Sequence, residues 1–229
     1  MSSMPDTQST IDADDISRFN SQAGQWWDPD GPMKPLHLFT PVRLEYILTA
    51  ARRTGLTADR PNRLLPLDGR KVLDVGCADG TLMKFLKDNK NTNIRGMEIS
   101  KEKVQECIAK GLTVLEGNAE KDLKQFPNKS FDYVVLSQTL QAFLNPELVL
   151  NELLRVGKKA IVTIPNFGYW KVRFHLLFKG TMPITKTLPD NWYNTPNLHM
   201  CTIKDFVYFV KSRDIKIFKS LALNNLNTS

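Results

Sequence analysis

Cysteine and histidine are both scarce in this sequence. The 229-residue chain has three of each, and Cys77, Cys107 and Cys201 stand far apart with no CxxC pair. That spacing excludes a cysteine-rich zinc site, and an odd count is no disulfide framework, so packed, idle thiols and no metal are expected. Also absent is any apolar run of about 18 residues, so no membrane-spanning helix is expected. The N-terminal stretch MSSMPDTQSTIDADD has neither a basic start nor an apolar segment. It offers no secretory leader, reads as a disordered tail over residues 1–15, and leaves a cytoplasmic protein as the expectation.

Acidic residues are thin in the second part of the chain. Residues 1–70 hold 8 basic and 9 acidic side chains, residues 71–229 hold 23 and 15, and the whole chain carries a net +7. The kind of base changes as well, from seven Arg and one Lys to four Arg and nineteen Lys. So abrupt a step marks a boundary of function or of ancestry. The lysines are scattered along KFLKDNKN, SKEKVQEC and RVGKKA with a single aromatic residue, Phe85, among them. That pattern reads as a solvated surface, and no nucleic-acid partner is expected.

A hydrophobic content of 41% supports one core, hence one domain over residues 71–229 behind an N-terminal segment over 16–70. From Lys71 onward, short apolar runs alternate with amphipathic stretches, the pattern of parallel strands joined by crossover helices. KVLDVGC, IRGMEIS, TVLEGN, FDYVVLSQ and KKAIVTIPN read as strands. They are rich in Val, Ile and Leu without alternation, as in strands buried on both faces. GTLMKFLKDN, KEKVQECIAKG and PELVLNELLRVG read as helices. After Asn166 an irregular, Pro- and aromatic-rich segment runs to about Met200, followed by a helix near TIKDFVYFVKSR and a strand near IKIFKSLAL. The residues beyond that strand are too few for another strand and its turn. A six-stranded sheet lacking its last strand, with an exposed edge, is therefore expected. Ahead of the first strand, DADDISRFNSQAGQWW and TPVRLEYILTAARRTG have helical spacing, the second closed by Gly55.

VLDVGCADG ends a strand and begins a helix, with Gly76 and Gly80 where a tight turn lets backbone approach a ligand. Eighteen residues after Gly80, Glu98 ends the second strand, placed to accept hydrogen bonds from a ribose diol. A dinucleotide would fit the glycines and the acid. Against it stand Ala78 in place of the middle glycine and Asp79, whose charge would oppose a pyrophosphate. A cationic sulfonium or amino group would tolerate that acid.

VLDVGCADG, GMEIS, EGNAE and SFDYVVLSQTLQ resemble the successive signatures of class I S-adenosylmethionine-dependent methyltransferases. The resemblance implies an α/β, Rossmann-like sheet with helices on both faces and S-adenosylmethionine as cofactor. It also implies that Glu98 binds the ribose, that Asp74 lies near the methionine moiety, and that Gly76 and Gly80 line its backbone path. By the same resemblance Asn118 with Ala119 reaches the adenine, and Ser137 sits beside the cofactor. Asn118 and Ala78 depart from the usual aspartate and glycine.

SQTLQ, LLRVGKKAIVTIPNFGYWKVRFHLLFKGTMPITKTLP and WYNTPNLHMCTIKDF are similar to the MetW family of methionine-biosynthesis proteins, across roughly residues 71–220. That similarity implies a role in methionine formation with homoserine O-acetyltransferase as partner. ISRFNSQAGQWWDPDGPMKPLHLFTPVRLEYI, by contrast, resembles the N-terminal region of the UbiG ubiquinone O-methyltransferases, over about residues 11–80. The alternative it implies is O-methylation of a small-molecule acceptor, a polyprenyl catechol or phenol, with peripheral membrane contact. However, the MEMLEHVPDP-like strand end of that family is replaced here by LSQTLQAFLNP. The two resemblances meet at KVLDVGC, where the Arg-to-Lys step falls, as in a hybrid of two homologous parents.

The UbiG resemblance also implies a helical lid over the cofactor, with Arg43 pairing with the cofactor carboxylate through its fixed guanidinium fork. In that lid the prolines at 29, 32, 35 and 41 interrupt regular structure, and Trp26 and Trp27 supply apolar area to hold it. His37, His175 and His199 are the candidate general bases, since histidine titrates near neutrality, although no carboxylate stands at a spacing that would make a dyad. Trp170, Trp192, Tyr169 and Tyr193 are candidates to line an aromatic acceptor pocket, or to pack as core.

Overall fold

The computed structural model describes Ile47 and residues 67–184, 191–193, 195 and 197–220. The expected tail and nearly all of the expected lid, with His37 and Arg43, lie outside the described residues. Ile47 is helical and 2% exposed within the core.

Five strands form one fully parallel sheet: β1 (Lys71–Val75), β2 (Asn93–Glu98), β3 (Val114–Glu116), β4 (Phe131–Ser137) and β5 (Gly157–Thr163), in the order β3-β2-β1-β4-β5. The crossover helices are α1 (Thr81–Lys90), α2 (Lys101–Ala109), the short α3 (Ala119–Asp122) and α4 (Pro146–Val156). Two further helices follow the sheet, α5 (Trp170–Lys179) and α6 (Ile203–Lys211). Local chemistry sets their starts. Asn145 caps α4 by accepting from Leu148 N, with Pro146 at its first position. Thr202 and Asp205 close a reciprocal capping box on α6.

Alternation along the strands divides the core into two layers, one on each face of the sheet. On one face Val72, Ile94, Tyr133 and Val135 pack with Met83 and Leu86 of α1, Cys107 of α2, and Ile47. On the other, Leu73, Val75, Met97, Val134 and Leu136 pack with Leu123 and with Val149, Leu153 and Val156 of α4. Each buried aliphatic side chain stabilises the fold by about 1.5–3 kcal/mol relative to exposure. A sheet covered on both faces brings loops, rather than a side of the sheet, to the ligand. Among the described residues no helix is long and apolar enough to cross a membrane.

Two expectations are corrected. The segment after Asn166 is not irregular throughout, because Trp170–Lys179 forms α5. No Pro or Gly falls between Tyr169 and Lys179, and Gly180, at φ 65°, closes the helix by donating to the Leu176 carbonyl. The strand expected at IKIFKSLAL does not form over residues 215–220. Lys159 of β5 lies 5.2 Å from the Phe218 ring centroid, so a side-chain contact, not a backbone ladder, holds the segment near the sheet. Residues 221–223 lie outside the described residues.

Candidate functional site

The carboxyl ends of the strands meet at the turn after β1, where open parallel sheets bind ligands. Gly76 N and Cys77 N both donate to the Met97 carbonyl of β2, at 2.8 and 3.2 Å, and Gly117 N donates to the Glu98 carbonyl at 2.9 Å. These bonds fix the ends of β1, β2 and β3 relative to one another. The turn then coils back, with Gly80 N donating to Cys77 O at 3.0 Å. Gly76 (φ 68°) and Gly80 (φ 74°) occupy the left-handed region that favours glycine. At Gly80 a Cβ would lie 2.5 Å from Leu112 Cδ1 and 2.8 Å from Cys107 Sγ; at Gly76 it would meet the Thr139 side chain at 3.1 Å. Ala78 takes φ 53° without being glycine, a strained conformation costing roughly 1 kcal/mol.

Glu98 holds that strained residue in place. Its Oε2 accepts from Ala78 N at 2.8 Å, while Oε1 accepts from Ile99 N at 2.9 Å and Ser100 N at 3.0 Å. A carboxylate offers about four acceptor positions. Three are used by the protein's own backbone, which leaves room for one ligand hydroxyl rather than both of a diol. Burial pushes the carboxyl above its usual range, and the three N–H donors only partly offset it.

Asp79, the acid that weighed against a pyrophosphate, does not stand alone. Its carboxylate accepts from Thr81 N at 3.1 Å and Thr81 Oγ1 at 2.5 Å, and pairs with Lys110 Nζ of the loop after α2 at 2.9 Å. Lys110 also donates to the Asp79 carbonyl at 2.6 Å. Burial opposes its charge, yet the bonds from Thr81 and Lys110 outweigh burial and hold the carboxyl below its usual range. The expected like-charge barrier is thereby largely neutralised. Cys77 and Cys107 are buried free thiols. A hydrogen bond to Cys107, burial, and the carboxylates of Asp74 and Glu98 all push the Cys77 thiol up, so it stays neutral and inert.

The remaining sequence candidates separate. Asp74 is buried inside the sheet, in register with Gly96 and Val135, two strand positions beyond Val72 on the same face. Asn118 and Ala119 are buried just after β3, beside Glu98. Asn118 Oδ1 caps α3 by accepting from Glu120 N at 2.9 Å, so its carbonyl oxygen already has a local donor. Ser137 ends β4 with its hydroxyl 3.3 Å from Thr163 Oγ1 of β5. His199 reaches the rim through its backbone, His199 N donating to Gln141 O at 3.0 Å. His175 sits on α5 against Thr181 Oγ1 at 3.1 Å, apart from the turn. Trp170, Trp192 and Tyr193 are largely exposed, and of these only Trp192 lines a small cavity, with Phe167, Met182, Asn197 and Met200. A separate cavity of about 150 Å³, beside Lys71, Arg95, Phe126 and Phe131, lies at the opposite ends of the strands. Among the described residues no group of three or more His, Cys, Asp and Glu could hold a metal ion.

The structure adds Gln141 to the site. It is buried, its Nε2 donates to Gln138 O at 2.7 Å, and its Oε1 has no hydrogen-bond partner among the described residues. The Gln138 carbonyl requires nitrogen on that side, so the orphan is the amide oxygen. Thr139 closes the Gly76 side of the same loop. A polar residue four positions past the end of β4 was the available sequence signal, but its burial was not visible.

Comparison with known proteins supplies the family. The family model of methionine biosynthesis protein MetW matches residues 62–229. The sequence is 36% identical over 146 residues to a bifunctional methionine biosynthesis protein MetXA/MetW of Rhodopirellula baltica, covering 60% of this chain and 23% of that one. It is 34% identical over 225 residues to the ubiquinone biosynthesis O-methyltransferase of Bartonella quintana, covering 93% of this chain and 83% of that one. The chain spans about half the length of other curated ubiquinone biosynthesis O-methyltransferases that it matches. Among solved structures, the plantazolicin methyltransferase BamL, in complex with a triazolic desmethylPZN analog and SAH, superimposes with a TM-score of 0.51 at 15% identity. That match covers 86% of this chain and 72% of the other and shows a shared fold. With a Rossmann-like methyltransferase sheet and a family model covering most of its length, the chain belongs to the MetW family.

Proposed function

We propose that the chain binds S-adenosylmethionine at the turn after β1 and acts in methionine formation together with homoserine O-acetyltransferase. The observation that carries the cofactor reading is the Glu98 carboxylate, buried at the turn with one acceptor position left for a ribose hydroxyl. Gly76 and Gly80 hold the left-handed conformations of the turn where Thr139, Leu112 and Cys107 leave no space for a Cβ, and so shape the backbone that would face the ligand. Asn118 and Ala119 flank Glu98 on the β3 side, where an adenine would extend from the ribose. Asp74, Ser137 and Gln141 come from the β1 and β4 sides, and Gln141 Oε1 is an acceptor awaiting an N–H or O–H donor. The cofactor, when bound, supplies an electrophilic methyl group on a sulfonium. The protein's part is to orient that group and exclude water around it. The partner reading rests on the MetW family and gains support from a relative whose name joins MetW to MetXA in one chain.

A second reading, O-methylation of a polyprenyl catechol or phenol, is favoured by the match along 93% of the chain to a ubiquinone biosynthesis O-methyltransferase. Transfer to a phenolic oxygen needs a base to take its proton. The loop after β4 presents Gln138 and Gln141, neutral amides that cannot serve, where the UbiG-like pattern carries Glu and His. Of the histidine candidates among the described residues, only His199 lies at this rim. We therefore rank methionine formation first. One preparation tests both: it should co-purify with homoserine O-acetyltransferase or alter that enzyme's rate. Catechol methylation with no effect on the acetyltransferase would reverse the order.

A further inference from the structure

The cavity of about 150 Å³ at the amino ends of the strands lies apart from the candidate site. The length of β1, roughly 15 Å, separates Lys71 on its lining from Gly76 at the turn. Arg95 stands in β2 in register with Leu73 of β1, and Ser130 and Phe131 lead into β4 on the other side of β1. The two-residue alternation of a strand puts Lys71 and Arg95 on the face of Leu73 and Met97. The cavity therefore ends that layer of the core. Phe126 and Phe131, which belong to or pack against the same layer, form its apolar wall, edge to face with centroids 5.4 Å apart.

That wall is tied down from behind. Arg155 of α4 donates to Phe126 O at 2.9 Å and to Leu123 O at 3.0 Å, and Lys129 Nζ donates to Gly157 O at 3.0 Å. A cavity with fixed walls loses little freedom when a ligand enters.

The charged groups at the cavity call for an anion. No Asp or Glu lines it, and neither Lys71 nor Arg95 forms an ion pair among the described residues. Asp132, the acid that follows Phe131, is already engaged, accepting from Lys71 N at 3.0 Å and pairing with Lys158 Nζ at 2.8 Å. Ser130 Oγ is buried and has no hydrogen-bond partner among the described residues, although a hydroxyl offers one donor and two acceptor positions. Burying such a group unpaired is unfavourable, and an anion accepting its hydrogen would relieve that.

We propose that this cavity binds a small organic carboxylate with a flat apolar body, the body against Phe126 and Phe131 and the carboxylate among Lys71, Arg95 and Ser130 Oγ. A volume near 150 Å³ holds a benzene-sized ring, and the guanidinium fork matches a carboxylate with two parallel bonds. A bare oxoanion would leave the aromatic wall uncovered. A neutral ring would leave two cations and a hydroxyl unmatched. The site is independent of whichever reaction or partner the turn after β1 serves.

Benzoate is the probe, titrated into the full chain and followed by backbone amide NMR shifts. Saturable shifts at the Arg95, Ser130 and Phe131 amides are expected, with a Kd of about 1 mM for so small a ligand. Benzyl alcohol, a ring without the charge, and inorganic phosphate, an anion without the ring, should each bind at least roughly tenfold more weakly. Arg95→Gln should weaken benzoate binding by roughly tenfold. Ser130→Ala should weaken it by about fivefold or more, while its melting temperature holds or rises because the buried hydroxyl it removes has no partner among the described residues. The absence of saturable shifts at these amides would overturn the proposal. Benzyl alcohol matching benzoate would reduce the site to an apolar hollow, phosphate matching it would assign the cations to oxoanions alone, and unchanged benzoate affinity in either variant would place the ligand elsewhere; each of these results overturns it as well.

Discussion

Replacing Glu98 with glutamine keeps the side chain's size and removes its charge. In the free protein the amide oxygen can still accept from Ile99 N and Ser100 N, but the amide nitrogen then faces Ala78 N–H, donor against donor. A lost hydrogen bond to a charged group is worth about 1.5–3 kcal/mol, and a buried donor left unsatisfied costs a further 1–3 kcal/mol or so. Relief from burying a charge offsets part of this, so a net loss of about 1–2 kcal/mol at neutral pH is expected. The sign with pH follows from the raised carboxyl. Wild-type protein is relieved of an unfavourable buried charge below the unfolded-state pKa and loses that margin as pH rises through the folded-state pKa, whereas the glutamine variant has no such slope. Ligand binding runs the other way. A ribose hydroxyl donates to the ionised carboxylate, so affinity should rise with pH through the Glu98 pKa and binding should release a proton. Losing that one charge-assisted bond weakens binding roughly 10- to 100-fold. Titration calorimetry with S-adenosylhomocysteine across this pH range, on both proteins, reads affinity and proton release together. An unchanged affinity in Glu98→Gln, or a pH dependence that persists in it, would refute the assignment of Glu98 to the ligand.

Gly80→Ala would drive a Cβ into Leu112 and Cys107 at a φ of 74°. Chemical denaturation should show a loss of roughly 2–4 kcal/mol, and a loss below half a unit would mean the turn is more plastic than its geometry implies. Gln141→Met removes a buried acceptor that has no partner among the described residues. Its melting temperature should hold or rise while affinity for the cofactor or its acceptor falls, and a stability loss without any change in binding would make Gln141 purely structural. Lys110→Met breaks the half-exposed pair with Asp79, worth at most about 1 kcal/mol. Because Asp79 is held below its usual range, that contribution is present at neutral pH and vanishes as pH falls through the folded-state pKa. Wild type and variant should then converge in acid, and a gap that widens there would contradict the pair's role.

The sheet was legible because its strands are buried on both faces. Runs such as VVL in β4 need no alternation to be read, and Glu98 stands out as a charge ending the apolar β2. What escaped reading depends on partners distant in sequence. Lys110 neutralises Asp79 from 31 positions away. The left-handed conformations of Ala78 and Gln138, at φ 53° and 54°, run against their intrinsic preference, and at Ala78 a bond from Glu98 holds it. Helix α5 was hidden by the aromatic and proline content around it, with Gly180 as its unread stop signal. Residues 215–220, IKIFKS, are rich in the β-favouring Ile and Phe, yet no strand forms there, because composition does not supply the neighbour a strand must pair with.

The central claim is that the turn after β1 binds a sulfonium nucleoside rather than a dinucleotide. Equilibrium dialysis of the purified chain against labelled S-adenosylmethionine, with NAD as competitor, puts that question directly. Saturable binding at one site per chain is expected, displaced by S-adenosylhomocysteine, indifferent to NAD and lost in Glu98→Ala. No saturable binding at millimolar ligand, or displacement by NAD, would contradict it.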